Sequence, residues 1–229
     1  MSKAKTSTLM VAAAVLALAG MLMAASAAYA AFVKAAQWEI EPETGALIDS
    51  VGDNEPSYLQ DITQDYSDFI FNGVSSYVRI PDINDALDPS AANIRLKAAV
   101  KVTDKPMDDD SYDVVRKGLA GRPGGDYKME IKATSNPDVG KLHCVFSGNK
   151  GTVRRFAGPD IVDGEWHKLA CIKKRNSVVA QVDGRSYTKS ASAGSISNES
   201  NIMLGAKTES PLDDVFDGSM NYVRIDIAE

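Results

Sequence analysis

The sequence predicts an all-β protein, an antiparallel sandwich or barrel. Three observations lead there. Beyond residue 30 no stretch repeats its apolar residues at helical spacing. Short strand-like runs recur instead, at 76–80, 93–102, 112–116, 127–132, 141–146, 166–173, 177–182, 201–204 and 220–227, separated by clusters of Gly, Asp, Asn, Pro and Ser. Third, Val182-Asp183-Gly184-Arg185 sets an Asp-Gly pair between two alternating runs, the strongest short-range signal for a hairpin.

The elements follow in order. Residues 1–30 read as a cleavable signal peptide. Lys3 and Lys5 give a basic start, 9–23 is an uncharged stretch rich in Ala, Leu, Val and Met, and Ala28-Tyr29-Ala30 supplies the small-x-small pattern, so cleavage is expected before Ala31. The competing reading is an uncleaved anchor, but the apolar stretch is near the lower limit for spanning and Ala drives insertion weakly. No cysteine directly follows the cleavage point to carry a lipid.

Residues 31–229 are then expected to form one domain, long enough to bury a core without help from a metal or a disulfide. Two of the 25 Lys and Arg lie in the leader and none of the 31 acids does, which leaves the exported part at −8. That acidity argues against nucleic acid and anionic membranes as partners and is compatible with neutral glycans, cationic partners or divalent cations.

In Tyr127-Lys128-Met129-Glu130-Ile131-Lys132 every second residue is apolar, the pattern of a strand with one wet face. Leu142, Cys144 and Phe146 share one phase, as do Leu169 and Cys171. An exported chain meets an oxidising compartment, so Cys144 and Cys171 are expected to form a disulfide. Two buried thiols or a redox pair are the alternatives, although the spacing is not CxxC. Trp166, placed behind the Asp163-Gly164 turn, is expected to be mostly buried.

The order of these motifs resembles the laminin G-like group of concanavalin A-like jelly rolls. The resemblance rests on Phe71-Asn72-Gly73 with Tyr77-Val78-Arg79-Ile80-Pro81, then Val114-Val115-Arg116-Lys117-Gly118 and Gly125-Asp126-Tyr127. It continues through Asp163-Gly164-Glu165-Trp166-His167, Val182-Asp183-Gly184, Ile202 to Gly205 and the closing Phe216-Asp217-Gly218 to Ile225. Met220-Asn221-Tyr222 departs from the usual Ile-Asp-Glu. The resemblance implies two antiparallel sheets packed face to face, with ligand sites on edge loops or on the concave sheet.

It also implies a calcium site at one rim. The Asp126 carboxylate, the Asn198 side chain in Ile196-Ser197-Asn198, and the main-chain carbonyls of Gly148 and Ile196 match the expected ligands. Calcium favours such a set of six to eight oxygens. The competing reading makes Asp126 and Asn198 ordinary turn residues. Asn198-Glu199-Ser200 is also a glycosylation sequon. Asp108-Asp109-Asp110 is a second, weaker cation candidate.

Catalytic sets find little support. With only His143 and His167, a three-imidazole zinc site is impossible. There is no G-x-S-x-G elbow and no phosphate-binding glycine loop. The final Arg224-Ile225-Asp226-Ile227-Ala228-Glu229 mimics a jelly-roll glycanase strand, but Arg224 stands where the nucleophilic carboxylate belongs. The expectation is a secreted, non-catalytic module binding a glycan or an extracellular protein with the help of calcium. A structural or adhesive surface protein is the alternative, and a glycanase a distant third.

Overall fold

The computed structural model describes residues 31–107, 110–136 and 139–228, so the expected signal peptide lies outside the described residues. Among the described residues there is no helix. The strands are β1 (Phe32–Ile40), β2 (Leu47–Asp49), β3 (Tyr58–Gln60), β4 (Thr63–Asp65), β5 (Asp68–Asn72), β6 (Tyr77–Ile80), β7 (Ile94–Lys101), β8 (Ser111–Lys117) and β9 (Asp126–Ala133). They continue as β10 (Gly140–Gly148), β11 (Gly151–Phe156), β12 (Trp166–Lys174), β13 (Ser177–Val182), β14 (Arg185–Lys189), β15 (Ile202–Leu204), β16 (Thr208–Glu209), β17 (Leu212–Asp213) and β18 (Asp217–Ala228).

Two large antiparallel sheets make the jelly-roll sandwich. One runs β14-β13-β12-β7-β18-β1-β2, with β5 and β4 added along β18; the other runs β11-β10-β9-β8-β15-β6-β3. The alternation read in the sequence becomes the inside and outside of these sheets. Tyr127, Met129 and Ile131 of β9 and Leu142, Cys144 and Phe146 of β10 face Leu96, Ala98 and Val100 of β7 and Leu169 and Cys171 of β12 across one core. The Asp183-Gly184 turn is the expected two-residue hairpin. Val182 pairs with Arg185, and both central residues have positive φ, 48° and 83°, as a type I′ turn requires.

Cys144 and Cys171 are bonded, with Cα atoms 5.3 Å apart. Their strands belong to different sheets, so the bridge crosses the core and ties the two layers together.

Trp166 corrects the sequence expectation: it is 41% exposed. Leu169 and Cys171 set the inward phase of β12, which turns Trp166 outward opposite Lys101 of β7. The core tryptophan is Trp38 of β1, fully buried, with its indole N–H donating to the Asn54 carbonyl at 2.8 Å.

β11 was not among the strand runs read from the sequence, and β14 was read only as the return arm of the Asp183-Gly184 hairpin. Both are sheet edges. Edge strands are wet on more than one side, so Arg154 and Arg155 in β11 break the apolar alternation that marks an inner strand.

Candidate functional site

The outer face of the seven-stranded sheet carries the candidate site. Antiparallel register places side chains in rows across it. One row runs Phe156, His143, Glu130, Asp113 from β11 to β8. The next runs Arg154, Val145, Lys128, Arg116, Met203 and Arg79. Asp113 reaches this face through a β-bulge. The register slips between Asp113 and Val115, so Val114 is the extra residue and Val115 returns to the core. Bulges re-aim side chains in this way.

A cavity of roughly 470 Å³ lies over these rows. Six of its lining side chains are cationic: Arg116, Arg122, Lys128, Lys132, Arg154 and Lys207. Beneath it is a buried ion network. Asp113 Oδ2 accepts from Arg116 at 2.6 Å. Glu130 accepts from Ser111 Oγ at 3.0 Å and from Lys128, and its other oxygen lies 2.5 Å from His143 Nδ1. Burial pushes the Asp113 carboxyl up to about 7 despite Arg116 and Lys128. Burial would raise Glu130 too, but the His143 and Lys128 bonds outweigh it and hold that carboxyl down at about 2.

The rim lies next to this groove, and Asp126 lines both. A second cavity of roughly 500 Å³ is lined by Arg122, Gly124, Gly125, Asp126, Gly148 and Ser195 among others. Asp126 is buried and sits opposite Ser147 in the β9–β10 register. Its Oδ1 has no hydrogen-bond partner. Glycines bring main-chain oxygens in close. A Cβ at Gly125 would lie 2.1 Å from the Ser147 oxygen, and one at Gly148 would lie 2.4 Å from the Ser195 oxygen.

The four residues expected to hold calcium border this rim, each with its own contacts. Asp126 and Gly148 share the rim cavity. Ile196 has its side chain in the core, and its carbonyl accepts from Ser90 N–H at 2.9 Å. The Asn198 side-chain amide donates to the Gly125 carbonyl at 3.0 Å while its Oδ1 accepts from Ser200 N–H at 3.0 Å. That nitrogen is also the sequon's attachment atom, so a sugar there would replace one of its two N–H groups beside the Gly125 carbonyl.

Of the acidic run, Asp108 and Asp109 lie outside the described residues. Asp110 clusters with Asp213 and Asp214, where Lys207 already bonds Asp213 and lies 3.6 Å from Asp214. Asp226 of the glycanase-like strand is fully buried and held by Arg224 and by Arg95 at 2.6 Å, while Glu229 lies outside the described residues.

The cationic groove was missed from the sequence because its residues come from five strands and two loops. Only the wet-face alternation of Lys128, Glu130 and Lys132 hinted at it. The acidic net charge concealed it.

Comparison with known proteins agrees with this architecture. A laminin G-type family model, described as the concanavalin A-like lectin/glucanases superfamily, matches residues 72–226. No curated protein matches the sequence significantly. Among solved structures, the binding domain of botulinum neurotoxin DC in complex with rat synaptotagmin II is similar at TM-score 0.60 and 9% identity, over 85% of this chain and 48% of that one. A botulinum neurotoxin type C structure, described as entering cells through interaction with two ganglioside molecules, is similar at 0.58 and 10%, over 86% and 46%. Mouse laminin α1 domains LG4-5 are similar at 0.52 and 16%, over 79% and 42%. The chain thus spans about half the length of these structures, and at such identities the likeness concerns the fold. From the family match and the two-sheet jelly roll together, the chain belongs to the concanavalin A-like lectin/glucanase superfamily, in its laminin G-like group.

Proposed function

We propose that this chain is an exported, non-catalytic module that binds a glycan or an extracellular protein at the groove and rim joined by Asp126, with calcium at the rim. The observation that carries this reading is the Asp126 carboxylate. It lines both cavities, and its buried Oδ1 lacks a donor within the protein. A buried acceptor left unsatisfied is costly, and a bound ion is one group that would satisfy it. Asp126 and the main-chain oxygens around Gly125 and Gly148 are suited to a hard cation. Asn198 would join them only by exchanging its present bonds. Calcium bound there would supply fixed positive charge with open positions for ligand oxygens.

Export is supported by the leader pattern and by the disulfide, which persists in oxidising compartments. A glycan or protein ligand is supported by the synaptotagmin and ganglioside ligands of the similar toxin structures. The non-catalytic reading is supported by the closing strand, where Arg224 stands in the nucleophile's place and Asp226 is buried in ion pairs with Arg95 and Arg224.

The test is a glycan array run with calcium and with a chelator, beside thermal melts. A hundredfold excess of calcium over its Kd should add about 2.7 kcal/mol to stability. Magnesium, which demands a tighter cage, should add much less. Asp126→Ala should abolish the calcium shift. An unshifted melt in the wild type would remove calcium from the proposal. A silent array with a purified protein partner bound would favour the adhesive reading.

A further inference from the structure

We infer that residues 206–215 form a flap at the edge of the groove, held shut by a proton on the buried Asp113 carboxyl and released when that proton leaves. This adds a regulation to the site of the binding-module reading, but its test needs no ligand, so the two fail separately.

The flap is marked by its burial and its base. The Phe216 N–H donates to the Gly205 carbonyl at 2.8 Å and closes the base. From 207 to 215 no residue is buried, whereas 202–206 and Phe216 are. β16 and β17 pair only with each other, over two residue pairs. A ribbon of that size is not stable by itself. Its apolar support is small: Leu212 and Val215 pack on a satellite cluster of Tyr77, Met203 and Ala206, apart from the main core. Polar ties join it to the sheet. Glu209 pairs with Arg79 at 3.0 Å, and the Asp113 N–H donates to the Asp214 carbonyl at 2.9 Å. Lys207 and Thr208 wall the groove, and with Glu209 and Ser210 they also wall an adjoining cavity of roughly 360 Å³. Movement of the flap therefore opens or shuts the groove's edge.

The latch lies where flap meets sheet. Asp113, Glu130 and Asp214 each bring one carboxyl oxygen within 4.8 Å of the others. The charged groups around Asp113 are Arg116 on its own strand, Lys128 and Glu130 on β9, and Lys207, Asp213 and Asp214 on the flap. His143 of β10 stands behind Glu130, and Asp110 beside Asp214. The cations are already engaged: Arg116 by Asp113 Oδ2, Lys128 by Glu130 and Lys207 by Asp213. Asp113 Oδ1 is left buried without a donor, and Lys128 stands 3.8 Å from it. A proton on Oδ1 changes that acceptor into a donor and removes one of three adjacent negative charges. Burial pushes Asp113 up to about 7, with Glu130 and Asp214 adding to the rise against Arg116 and Lys128. Asp214 is raised too, by its own burial and by the Asp110 carboxyl. With the flap open, water reaches Asp113 and its affinity for the proton falls toward that of an ordinary carboxyl. Closing therefore takes up a proton, and rising pH opens the flap.

The experiment is amide exchange by NMR from pH 6 to 8, corrected for the intrinsic rate, with the Asp113 side-chain carbon followed over the same range. One linked proton leaving near pH 7 should lower protection of the Lys207 and Asp113 amides about tenfold, while amides of β1 and β2 stay constant. In Asp113→Asn, which keeps the shape and cannot ionise, the flap should stay protected at every pH. If that variant does not fold, Asp214→Asn removes the repelled flap carboxylate and should flatten most of the slope. Constant flap protection in the wild type would overturn the inference. So would the full slope in either variant, or an Asp113 carbon that does not titrate in this range. Calcium or manganese that protects the flap of Asp126→Ala at constant pH would show that the cluster holds a metal ion, and would overturn the proton latch.

Discussion

Lys117 and Asp88 form an ion pair inside the sandwich, and through it the Asn198 loop is tied to the sheet. The Lys117 ammonium is fully buried and donates to Asp88, to Asp82 at 3.0 Å and to the Asn198 carbonyl. The other oxygen of Asp88 accepts from Ser197 Oγ and Asn198 N–H, both at 2.9 Å. The residue that sequence resemblance offers as a calcium ligand is therefore positioned by a built-in cation.

Removing one partner of such a pair leaves a buried charge unmatched, typically a loss of about 3–5 kcal/mol. Lys117→Met should show a loss of that order in urea denaturation. It should also weaken any calcium shift, because the Asn198 loop loses its bond to Lys117 and Asp88 beneath it loses its cation. A loss within about 0.5 kcal/mol, the range of ordinary surface substitutions, would mean the pair is dispensable.

The disulfide closes a loop with a sequence separation of 27. Cys144→Ala/Cys171→Ala should lower unfolding free energy by about 3–4 kcal/mol on the chain-entropy account. Because the bridge joins the two sheets, amide exchange in both β10 and β12 should rise in the variant. Faster exchange in one strand alone would contradict that coupling.

Trp166→Ala should cost less than about 1 kcal/mol, since an outward, partly exposed side chain leaves no sealed cavity. Trp38→Ala should cost about 3–5 kcal/mol. Parallel urea melts of the two variants check the assignment of core and surface; a reversed order would refute it.

His167 is bonded on both sides, to Asp183 at 2.7 Å and to Asp163 at 3.0 Å. Burial alone would lower its pKa, but the two carboxylates outweigh burial and raise it above 6.5. A raised histidine stabilises the fold fully below its unfolded pKa and loses that contribution as pH climbs through the higher folded value. Wild type should therefore lose stability relative to His167→Gln as pH rises from 6 toward 8. Urea midpoints that run parallel across this window would exclude the double ion pair.

Much of the fold was legible in the sequence because strand alternation and turn chemistry are local. Tyr127, Met129 and Ile131 announce an inward face by spacing alone, and Asp183-Gly184 announces a hairpin by the positive φ both positions adopt. The pairing of Cys144 with Cys171 needed only an oxidising compartment and two cysteines. Other features depend on the partner each strand meets. The phase of β12 sent Trp166 outward, and the bulge at Val114 sent Asp113 to the groove beside Glu130. Net charge is a sum over the surface, so it could not reveal that Arg116, Lys128, Lys132 and Arg154 share one face. Asp126 was found by resemblance, but that its Oδ1 is buried and unpartnered is decided by the tertiary contacts around the rim. Sequence determined the strands and their wet and dry sides. Tertiary structure decided which wet sides meet, because register and sheet order are set by contacts between residues far apart in the chain.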